Sequence, residues 1–273
     1  MDNTSNTINS PRIATIDEIW QCIVREAQSE AENEPILASH LHATVLKHDT
    51  FSEALTHHLS DLLGSETVSA LALSEVISDA HSLAPEIVLQ AAQDVAATRD
   101  RDSACSECGT PFLYYKGFHA LQSYRVANFL WHHQRRELAL FLQSSVSQRF
   151  GVDIHPAAHI GSGVMLDHAS GIVIGETSVV GDNVSIMQSV TLGGTGKEGG
   201  DRHPKVEAGV LIGAGSKVLG NIRIGECSKI SAGSVVLKDV PARCTVAGIP
   251  AKIVGGECAE PARTMDQDIP DCE

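Results

Sequence analysis

The sequence predicts an α+β protein, with an N-terminal all-helical domain followed by a C-terminal left-handed parallel β-helix of hexapeptide repeats. Thirteen aliphatic residues recur at six-residue spacing between Ile154 and Val236, a period that fits neither an α-helix nor a simple strand pair. All eleven aromatic residues lie at or before Phe150, and only three of the 23 glycines precede Gly151. This change in composition marks two domains within one chain.

The first half of the chain carries apolar residues at i, i+3 and i+4, the spacing of one helical face. Pro35 and Pro85 separate two pairs of these segments. We therefore expect helices over 17–34, 37–48, 52–63, 68–83 and 86–98, and two more within 112–150. The predicted domains are a disordered N-terminus (1–14), a helical domain (15–150), a β-helix (151–255) and a flexible acidic tail (256–273).

In the second half, each six residues form one short wall of a three-sided coil, and one aliphatic side chain per wall points inward. The inward positions are Ile154, Ile160, Leu166, Ile174, Val180, Ile186, Leu192, Val206, Ile212, Val218, Ile224, Ile230 and Val236. The residue four places later is small or β-branched, as at Ala158, Ser170 and Ser178.

The six-residue spacing breaks twice. Two extra residues separate Leu166 from Ile174, and eight extra residues separate Leu192 from Val206. Insertions in a solenoid leave the stack as loops, commonly on the binding face. Both breaks carry Asp, His or Arg, which favours a functional role over tolerated decoration.

The net charge of −14 is unevenly distributed. Residues 151–255 hold nine acidic and nine basic residues, so the repeat is neutral and most of the excess lies in the helical half. Nucleic acid is not expected as a partner because it requires a basic stripe. The absence of a signal peptide and of a long apolar run predicts a cytoplasmic protein that does not contact membranes.

Seven scattered cysteines predict free thiols in a reducing compartment. Cys105 and Cys108 have the spacing of a metal or redox pair, but no second such pair completes a zinc site. We expect a loop with two free thiols and no metal.

Asp153 and His168 are the candidate catalytic pair. They are fifteen residues apart, close to the eighteen of one full coil, a separation that can bring them together across neighbouring coils or subunits. A carboxylate beside an imidazole fixes its tautomer and stabilises the imidazolium, which makes histidine a general base near neutral pH. His155 and His159 are expected to be surface residues at loop corners.

Several segments resemble bacterial serine O-acetyltransferases. They are Val152-Asp-Ile-His-Pro, Met165-Leu-Asp-His-Ala-Ser-Gly, Ser189-Val-Thr-Leu-Gly-Gly-Thr-Gly-Lys, Gly200-Asp-Arg-His-Pro-Lys, Gly117-Phe-His-Ala-Leu-Gln and Ala247-Gly-Ile-Pro-Ala-Lys. The resemblance covers roughly residues 15 to 255. It implies acetyl transfer from acetyl-CoA to the hydroxyl of L-serine, the first step of cysteine biosynthesis, by direct attack without an acyl-enzyme. It also implies that His168 is the general base and that Asp153 orients it.

The same resemblance assigns the binding residues. It places the serine ammonium against Asp102 and Asp167, and the serine carboxylate against Arg202 and His203. It places acetyl-CoA, a co-substrate rather than a permanently bound cofactor, along Gly194, Ala214, Ala232, Lys229 and Lys252.

The resemblance further implies a homohexamer, formed as a dimer of trimers with sites between subunits, and inhibition by L-cysteine in the serine site. Family tails often end in an isoleucine that binds O-acetylserine sulfhydrylase, whereas this chain ends Asp271-Cys272-Glu273. That complex therefore has weak support here.

Three alternatives stay open from the residues. The first is an acetyltransferase of the same fold that acts on a sugar or antibiotic hydroxyl. The second is a zinc carbonic anhydrase that uses His155, His159 and His168. The third is a hexameric scaffold without activity.

Overall fold

The computed structural model describes residues 15–196, 199–255 and 259–269. The predicted disordered N-terminus, residues 1–14, lies outside the described residues. The helices are α1 Ile16–Asn33, α2 Ala38–Leu41, α3 Phe51–Leu63, α4 Ala70–Leu83, α5 Glu86–Arg101, α6 Gly109–Tyr114, α7 Lys116–His132, α8 Arg136–Phe150 and α9 Pro261–Thr264, with a π-helical turn at His42–Leu46.

The helix boundaries follow local capping. Thr15 and Thr50 cap α1 and α3, and in each case the hydroxyl accepts from the backbone of a glutamate that bonds back to the cap, the reciprocal pattern of a capping box. The helix expected over 37–48 is instead a short α-helix followed by the π-helical turn. The segment 112–150, expected to hold two helices, also contains the end of α6. The backbone is extended at Tyr115, and this separates α6 from α7.

The strands are β1 Val152–Ile154, β2 His159–Ile160, β3 Met165–Asp167, β4 Ile172–Ile174, β5 Val179–Val180, β6 Ser185–Met187, β7 Thr191–Gly193, β8 Lys205–Val206, β9 Leu211–Ile212, β10 Lys217–Leu219, β11 Arg223–Ile224, β12 Lys229–Ile230, β13 Val235–Val236, β14 Thr245–Gly248 and β15 Ala251–Gly255. They form three sheets: sheet 1 (β1-β4-β7-β10-β13), sheet 2 (β2-β5-β8-β11) and sheet 3 (β3-β6-β9-β12-β14-β15). Successive strands in a sheet pair in parallel, apart from the final antiparallel β14–β15 pair.

The predicted repeat is confirmed at each inward position. All thirteen aliphatic residues are buried, and register pairs such as Ile154 with Ile174 stack one above another. At the first break, Ala169 is fully buried and Ser170 is exposed. The two extra residues thus put Ala169 inside the coil, rather than the residue four places after Leu166.

The helical part packs against the solenoid at two points that position the site. Gly117, in the first turn of α7, lies so close to β3 that an added Cβ would be 2.0 Å from the Leu166 carbonyl oxygen. Farther along α7, Arg125 forms a buried ion pair with Asp94 of α5 at 2.6 Å. Among the described residues, no helix is long and apolar enough to cross a membrane.

Two edges of the solenoid matter for function. The turns that lead from sheet 3 to sheet 1, at 168–171, 188–190, 213–216 and 231–234, form what we call the His168 edge. The turns that lead from sheet 1 to sheet 2, at 155–158, 175–178, 194–204 and 220–222, form the Arg202 edge. Part of the predicted acidic tail is described: α9 lies on sheet 3, where the buried Ser185 hydroxyl donates to the Ala262 carbonyl at 2.9 Å.

Candidate active site

His168 projects into solvent at the first break in the repeat. It follows β3 with a left-handed backbone (φ 54°), as does Ala169 (φ 57°). This pair of left-handed residues turns Ala169 into the core and His168 outward. The imidazole Nε2 lies 3.7 Å from Asp167 Oδ1, and the His168 side chain is 73% exposed while that of Asp167 is 14% exposed. The bulge thus presents an accessible imidazole beside a half-buried carboxylate.

Asp102 approaches the same edge from the end of α5. Its carboxylate accepts hydrogen bonds from the Tyr115 hydroxyl at 3.0 Å and from the Ala104 backbone N–H at 2.8 Å. Burial raises the pKa of Asp167, the negative charge of Asp102 raises it further, and His168 opposes both. A carboxylate whose pKa is raised by burial and by a second carboxylate nearby is suited to bind a cation such as an ammonium group.

Asp153 lies in the middle of β1, on the outer face of sheet 1. Its neighbours Val152 and Ile154 point inward and are buried. Gln143 of α8 donates to Asp153 Oδ1 at 2.7 Å. Within the described residues, no hydrogen bond or ion pair joins Asp153 to His168, whose carboxylate partner in the chain is Asp167.

Arg202 and His203 lie at the Arg202 edge, in the long loop between β7 and β8. Arg202 forms an ion pair with Glu176 at 2.6 Å. His203 Nδ1 accepts from the Thr177 backbone N–H at 3.2 Å, so the proton of the neutral ring resides on Nε2. Burial lowers the pKa of His203, and the Arg202 charge lowers it further. The edge therefore offers a guanidinium and a neutral imidazole donor, a pair suited to a carboxylate.

These acidic and basic groups occupy opposite edges of sheet 1 in one chain. A three-residue strand such as β4 separates the two edges, a distance of about 10 Å. In the described part of the chain, no hydrogen bond or ion pair connects Asp102, Asp167 or His168 to Arg202 or His203. The structure therefore assembles each half of the predicted serine site separately. Within one chain, the two halves remain apart.

The predicted coenzyme residues divide in the same way. Ala214 and Ala232 lie below His168 on the same edge, one coil apart, and the Gly233 N–H donates to the Ala214 carbonyl at 2.8 Å. Gly194 lies on the other edge, where an added Cβ would be 3.5 Å from Arg202 Cγ. Small residues thus leave the backbone accessible along both edges.

The two predicted phosphate partners have different surroundings. Lys229 is only 4% exposed, and its ammonium donates to the Asp268 carbonyl at 2.6 Å and lies 3.7 Å from the Asp266 carboxylate. Lys252 is exposed on β15. In this conformation the C-terminal segment binds the Lys229 ammonium through Asp266 and Asp268, whereas the Lys252 ammonium is accessible to a phosphate.

Sequence reasoning missed several supporting residues. Tyr115 lies in the predicted helical segment 112–150, but its spacing gave no indication that its hydroxyl contacts Asp102. Gln143, Glu176 and Thr177 gave no signal, because their roles depend on contacts between distant turns. The histidines of the carbonic anhydrase alternative, His155, His159 and His168, form no metal-ligand cluster within the described residues of one chain.

Two protein-family models match the chain. One, described as serine acetyltransferase, N-terminal, matches residues 19–123, and another, described as bacterial transferase hexapeptide (six repeats), matches residues 203–238. The serine acetyltransferase of Escherichia coli K12 is 54% identical over 253 residues, which cover 92% of this chain and 93% of the relative. That of Haemophilus influenzae is 54% identical over 251 residues, covering 92% and 94%.

Solved structures agree over the same length. A serine acetyltransferase in complex with cysteine superposes with a TM-score of 0.91 at 54% identity, covering 92% of this chain and 98% of the other. The Brucella abortus enzyme in complex with coenzyme A gives 0.87 at 51%, covering 89% and 97%. The soybean enzyme complexed with serine gives 0.85 at 52%, covering 86% and 97%. The solenoid is thus the predicted left-handed β-helix, and with this identity over most of its length the chain belongs to the serine acetyltransferase family.

Proposed function

We propose that this protein transfers the acetyl group of acetyl-CoA to the hydroxyl of L-serine, giving O-acetyl-L-serine and CoA, the first step of cysteine biosynthesis. The observation that carries the proposal is the pair of complementary half-sites on sheet 1: a carboxylate pair beside an accessible imidazole at one edge, and a guanidinium beside a neutral imidazole at the other. Relatives over half identical to the chain have been solved with serine and with cysteine.

Serine binding follows from its zwitterionic charge. Asp102 and Asp167 would hold the ammonium, while Arg202 and His203 would hold the carboxylate through charge-assisted hydrogen bonds. In serine, a single carbon atom separates these two groups. Because about 10 Å separates the two edges of sheet 1, one serine can contact both half-sites only if the edges come from different copies of the chain. The site therefore forms between subunits, as a trimer of β-helices provides.

His168 acts in this proposal as the general base. Its imidazole removes the proton from serine Oγ as that oxygen attacks the thioester carbonyl carbon. The carbon–sulfur bond then breaks, and the CoA thiolate takes the proton from the imidazolium. Such assistance contributes about 10²–10⁴-fold in rate. Asp153 remains our predicted orienting carboxylate, and Asp167 is the one that pairs with His168 in the chain.

Acetyl-CoA would lie in the groove between adjacent β-helices, where Ala214 and Ala232 of one copy face Gly194 of another. Small side chains let the pantetheine arm approach backbone groups, and Lys252 and Lys229 would meet the phosphates. A relative solved with coenzyme A supports this co-substrate. For Lys229 this assignment requires that the C-terminal segment release the ammonium.

We infer that two trimers join through their helical domains into a hexamer. Supporting this, Ile36, Leu71 and Leu83 are large apolar side chains left exposed on the helical domain, with 72–87% of their surface accessible. Exposed apolar groups of this kind mark association surfaces. L-cysteine, a zwitterion with a thiol in place of the hydroxyl, would compete for the serine half-sites. The terminal residues that bear on binding to O-acetylserine sulfhydrylase lie outside the described part of the chain.

The test is CoA thiol release from acetyl-CoA, measured with L-serine, with added L-cysteine, and in the His168→Ala variant. We expect serine-dependent release, competition by cysteine against serine, and a kcat reduced about 10²–10⁴-fold in the variant. His132→Ala, an exposed histidine at the end of α7, is the matched control and should retain full activity.

Other outcomes would redirect the proposal. Release with a sugar hydroxyl but not with serine would keep acetyl transfer and reject the substrate. Equal release by wild type and His168→Ala would reject the assigned base. An absence of release with every acceptor would favour a scaffold.

A further inference from the structure

A cluster of potential metal ligands lies in the helical domain, apart from the proposed serine site. Cys22 and Glu26 stand one turn apart on α1, and Cys108 immediately precedes α6. One ligand atom from each residue lies within 4.8 Å of the other two. Two ligand atoms on one tetrahedral zinc ion are about 3.5–4 Å apart. The three side chains therefore need to approach by only about 1 Å to share an ion.

The carboxylate of this cluster is held in place before any ion binds. Glu26 Oε1 accepts from the Cys108 backbone N–H at 3.1 Å, and Oε2 accepts from the Gly109 backbone N–H at 2.6 Å. The Cys22 thiol donates to Glu26 Oε1 at 3.1 Å. A cation would replace this thiol proton while the two backbone hydrogen bonds remain. Preorganised ligands of this kind reduce the entropy lost on binding.

The surrounding charges favour a cation of this type. Burial raises the pKa of Glu30, and the nearby negative charges of Glu26 and Glu107 raise it further. Arg99 is the guanidinium in contact with the cluster, and its Nη1 lies 3.3 Å from Cys108 Sγ. Two thiolates, one carboxylate and a divalent cation sum to −1, and Arg99, which also pairs with Asp100 at 2.8 Å, is the cation beside that charge. Thiolate ligands select zinc and other soft ions over magnesium or calcium.

We propose that Cys22, Glu26 and Cys108 form a binding site for a thiophilic divalent cation of the zinc type, with two thiolates and one carboxylate as protein ligands. Binding releases the two thiol protons, so that one M²⁺ ion replaces two H⁺. The bound ion would tie α1 to the loop between α5 and α6, which follows the predicted serine ligand Asp102. Its role is structural and does not depend on the proposed reaction.

This site differs from the one suggested by the Cys105–Cys108 spacing. Cys105 Sγ donates to the Glu107 carbonyl at 3.3 Å and does not belong to the cluster. Cys108 instead faces a cysteine 86 positions earlier in the chain. The Cys105–Cys108 spacing therefore contains one residue of the proposed site and gives no indication of Cys22.

The experiment is titration of the fully reduced, full-length protein with Co²⁺, read by the thiolate-to-cobalt charge-transfer absorption, which histidine or carboxylate binding does not produce. We expect about one ion per chain, displaced by Zn²⁺. Cys22→Ser and Cys108→Ser should lose the absorption, whereas Cys105→Ser and Cys244→Ser should keep it. Cys22→Ala removes the ligand without adding a polar atom. It therefore tests the same ligand if Cys22→Ser fails to fold. In parallel, Zn²⁺ should protect two thiols from alkylation in wild type and none in the Cys22 variants.

Three results would overturn the proposal. The first is the absence of charge-transfer absorption in reduced wild type. The second is its loss in Cys105→Ser together with its retention in Cys22→Ala, which would restore the Cys105–Cys108 pair. The third is a protein in which Cys22 and Cys108 form a disulfide on exposure to glutathione disulfide but bind no Co²⁺ after reduction, which would make the cluster a redox pair.

Discussion

At the scale of single residues, the most consequential position is the bulge after β3. Two extra residues place His168 and Ala169 in left-handed backbone conformations. In an uninterrupted six-residue repeat, the residue four places after Leu166 would take the interior position that Ala169 fills. The insertion therefore keeps a small residue in the core and directs an imidazole outward, next to Asp167.

A second residue-scale feature is the contact between Gly175 and His203. An added Cβ at Gly175 would lie 2.1 Å from His203 Nε2 and 2.2 Å from Cδ2. No side chain larger than hydrogen fits beneath the ring. The glycine of the repeat at this turn thus allows the imidazole to approach the backbone of the coil closely.

We predict that Gly175→Ala displaces His203 and weakens serine binding. Loss of one charge-assisted hydrogen bond to the carboxylate should raise the KM for serine at least tenfold, with the KM for acetyl-CoA changed much less. Steady-state kinetics measures both constants. Gly199→Ala, where an added Cβ meets nothing within 4 Å, is the control and should behave as wild type. An unchanged KM for serine in Gly175→Ala would mean that His203 does not bind the substrate.

At the scale of elements, the helical part is joined to the solenoid by a buried polar network on α5 and α7. Arg125 donates to Asp94 and to the carbonyls of Ile160 and Gly161, while Asp94 also accepts from the Val164 backbone N–H at 2.8 Å. Both charged side chains are at most 2% exposed. Each element would leave unpaired polar groups if the other moved, so this network sets the orientation of the helices on the solenoid.

Arg125→Ala should therefore destabilise the protein strongly. It removes the partner of a fully buried carboxylate, a change that costs about 3–5 kcal/mol. Arg223→Ala breaks an ion pair with Glu207 in which the arginine is 71% exposed, and should cost less than about 1 kcal/mol. Urea unfolding of both variants measures the difference. Similar losses in the two variants would show that the buried pair does not hold the two parts together.

At the scale of the whole molecule, one chain carries both halves of the proposed serine site on opposite edges of sheet 1. A single β-helix cannot fold so that these edges meet, because the intervening strands are rigidly paired. The cyclic trimer that we propose would solve this problem, since each edge of one copy would then face the other edge of its neighbour.

This arrangement predicts complementation between two inactive variants. In random mixed trimers of His168→Ala and Arg202→Ala chains, about a quarter of the sites combine a wild-type His168 edge with a wild-type Arg202 edge. We expect co-expression to restore about a quarter of wild-type activity, measured as CoA release. Mixing the two purified trimers without subunit exchange should restore none. If the co-expressed variants stay inactive, both half-sites must come from the same chain.

The sequence predicted much of this protein because its period is a direct consequence of local geometry. Each inward aliphatic, from Ile154 to Val236, is buried as expected. The helical segments also agree closely with apolar spacing and capping, with the largest differences at 37–48 and at Tyr115. Those two places depend on backbone adjustments that apolar spacing does not encode.

Contacts between residues far apart in the chain could not be predicted. The sequence pointed to no partner for Gln143 and treated Cys105 and Cys108 as free thiols, whereas the structure places Gln143 against Asp153 and brings Cys108 to Cys22. Spacing reports which face of an element a residue occupies, but not which other element packs against that face.

The sequence by itself determined the solenoid, the helical half and the residue types at both breaks, because a repeated side-chain pattern has one favourable way to bury its apolar positions. Only the tertiary structure decided that the charged residues of the two breaks lie at opposite edges of one sheet, and that Asp102 joins the edge of His168. Those facts depend on the direction of each turn of the solenoid and on the close approach of α7 at Gly117. Both are properties of packing between elements rather than of any local segment.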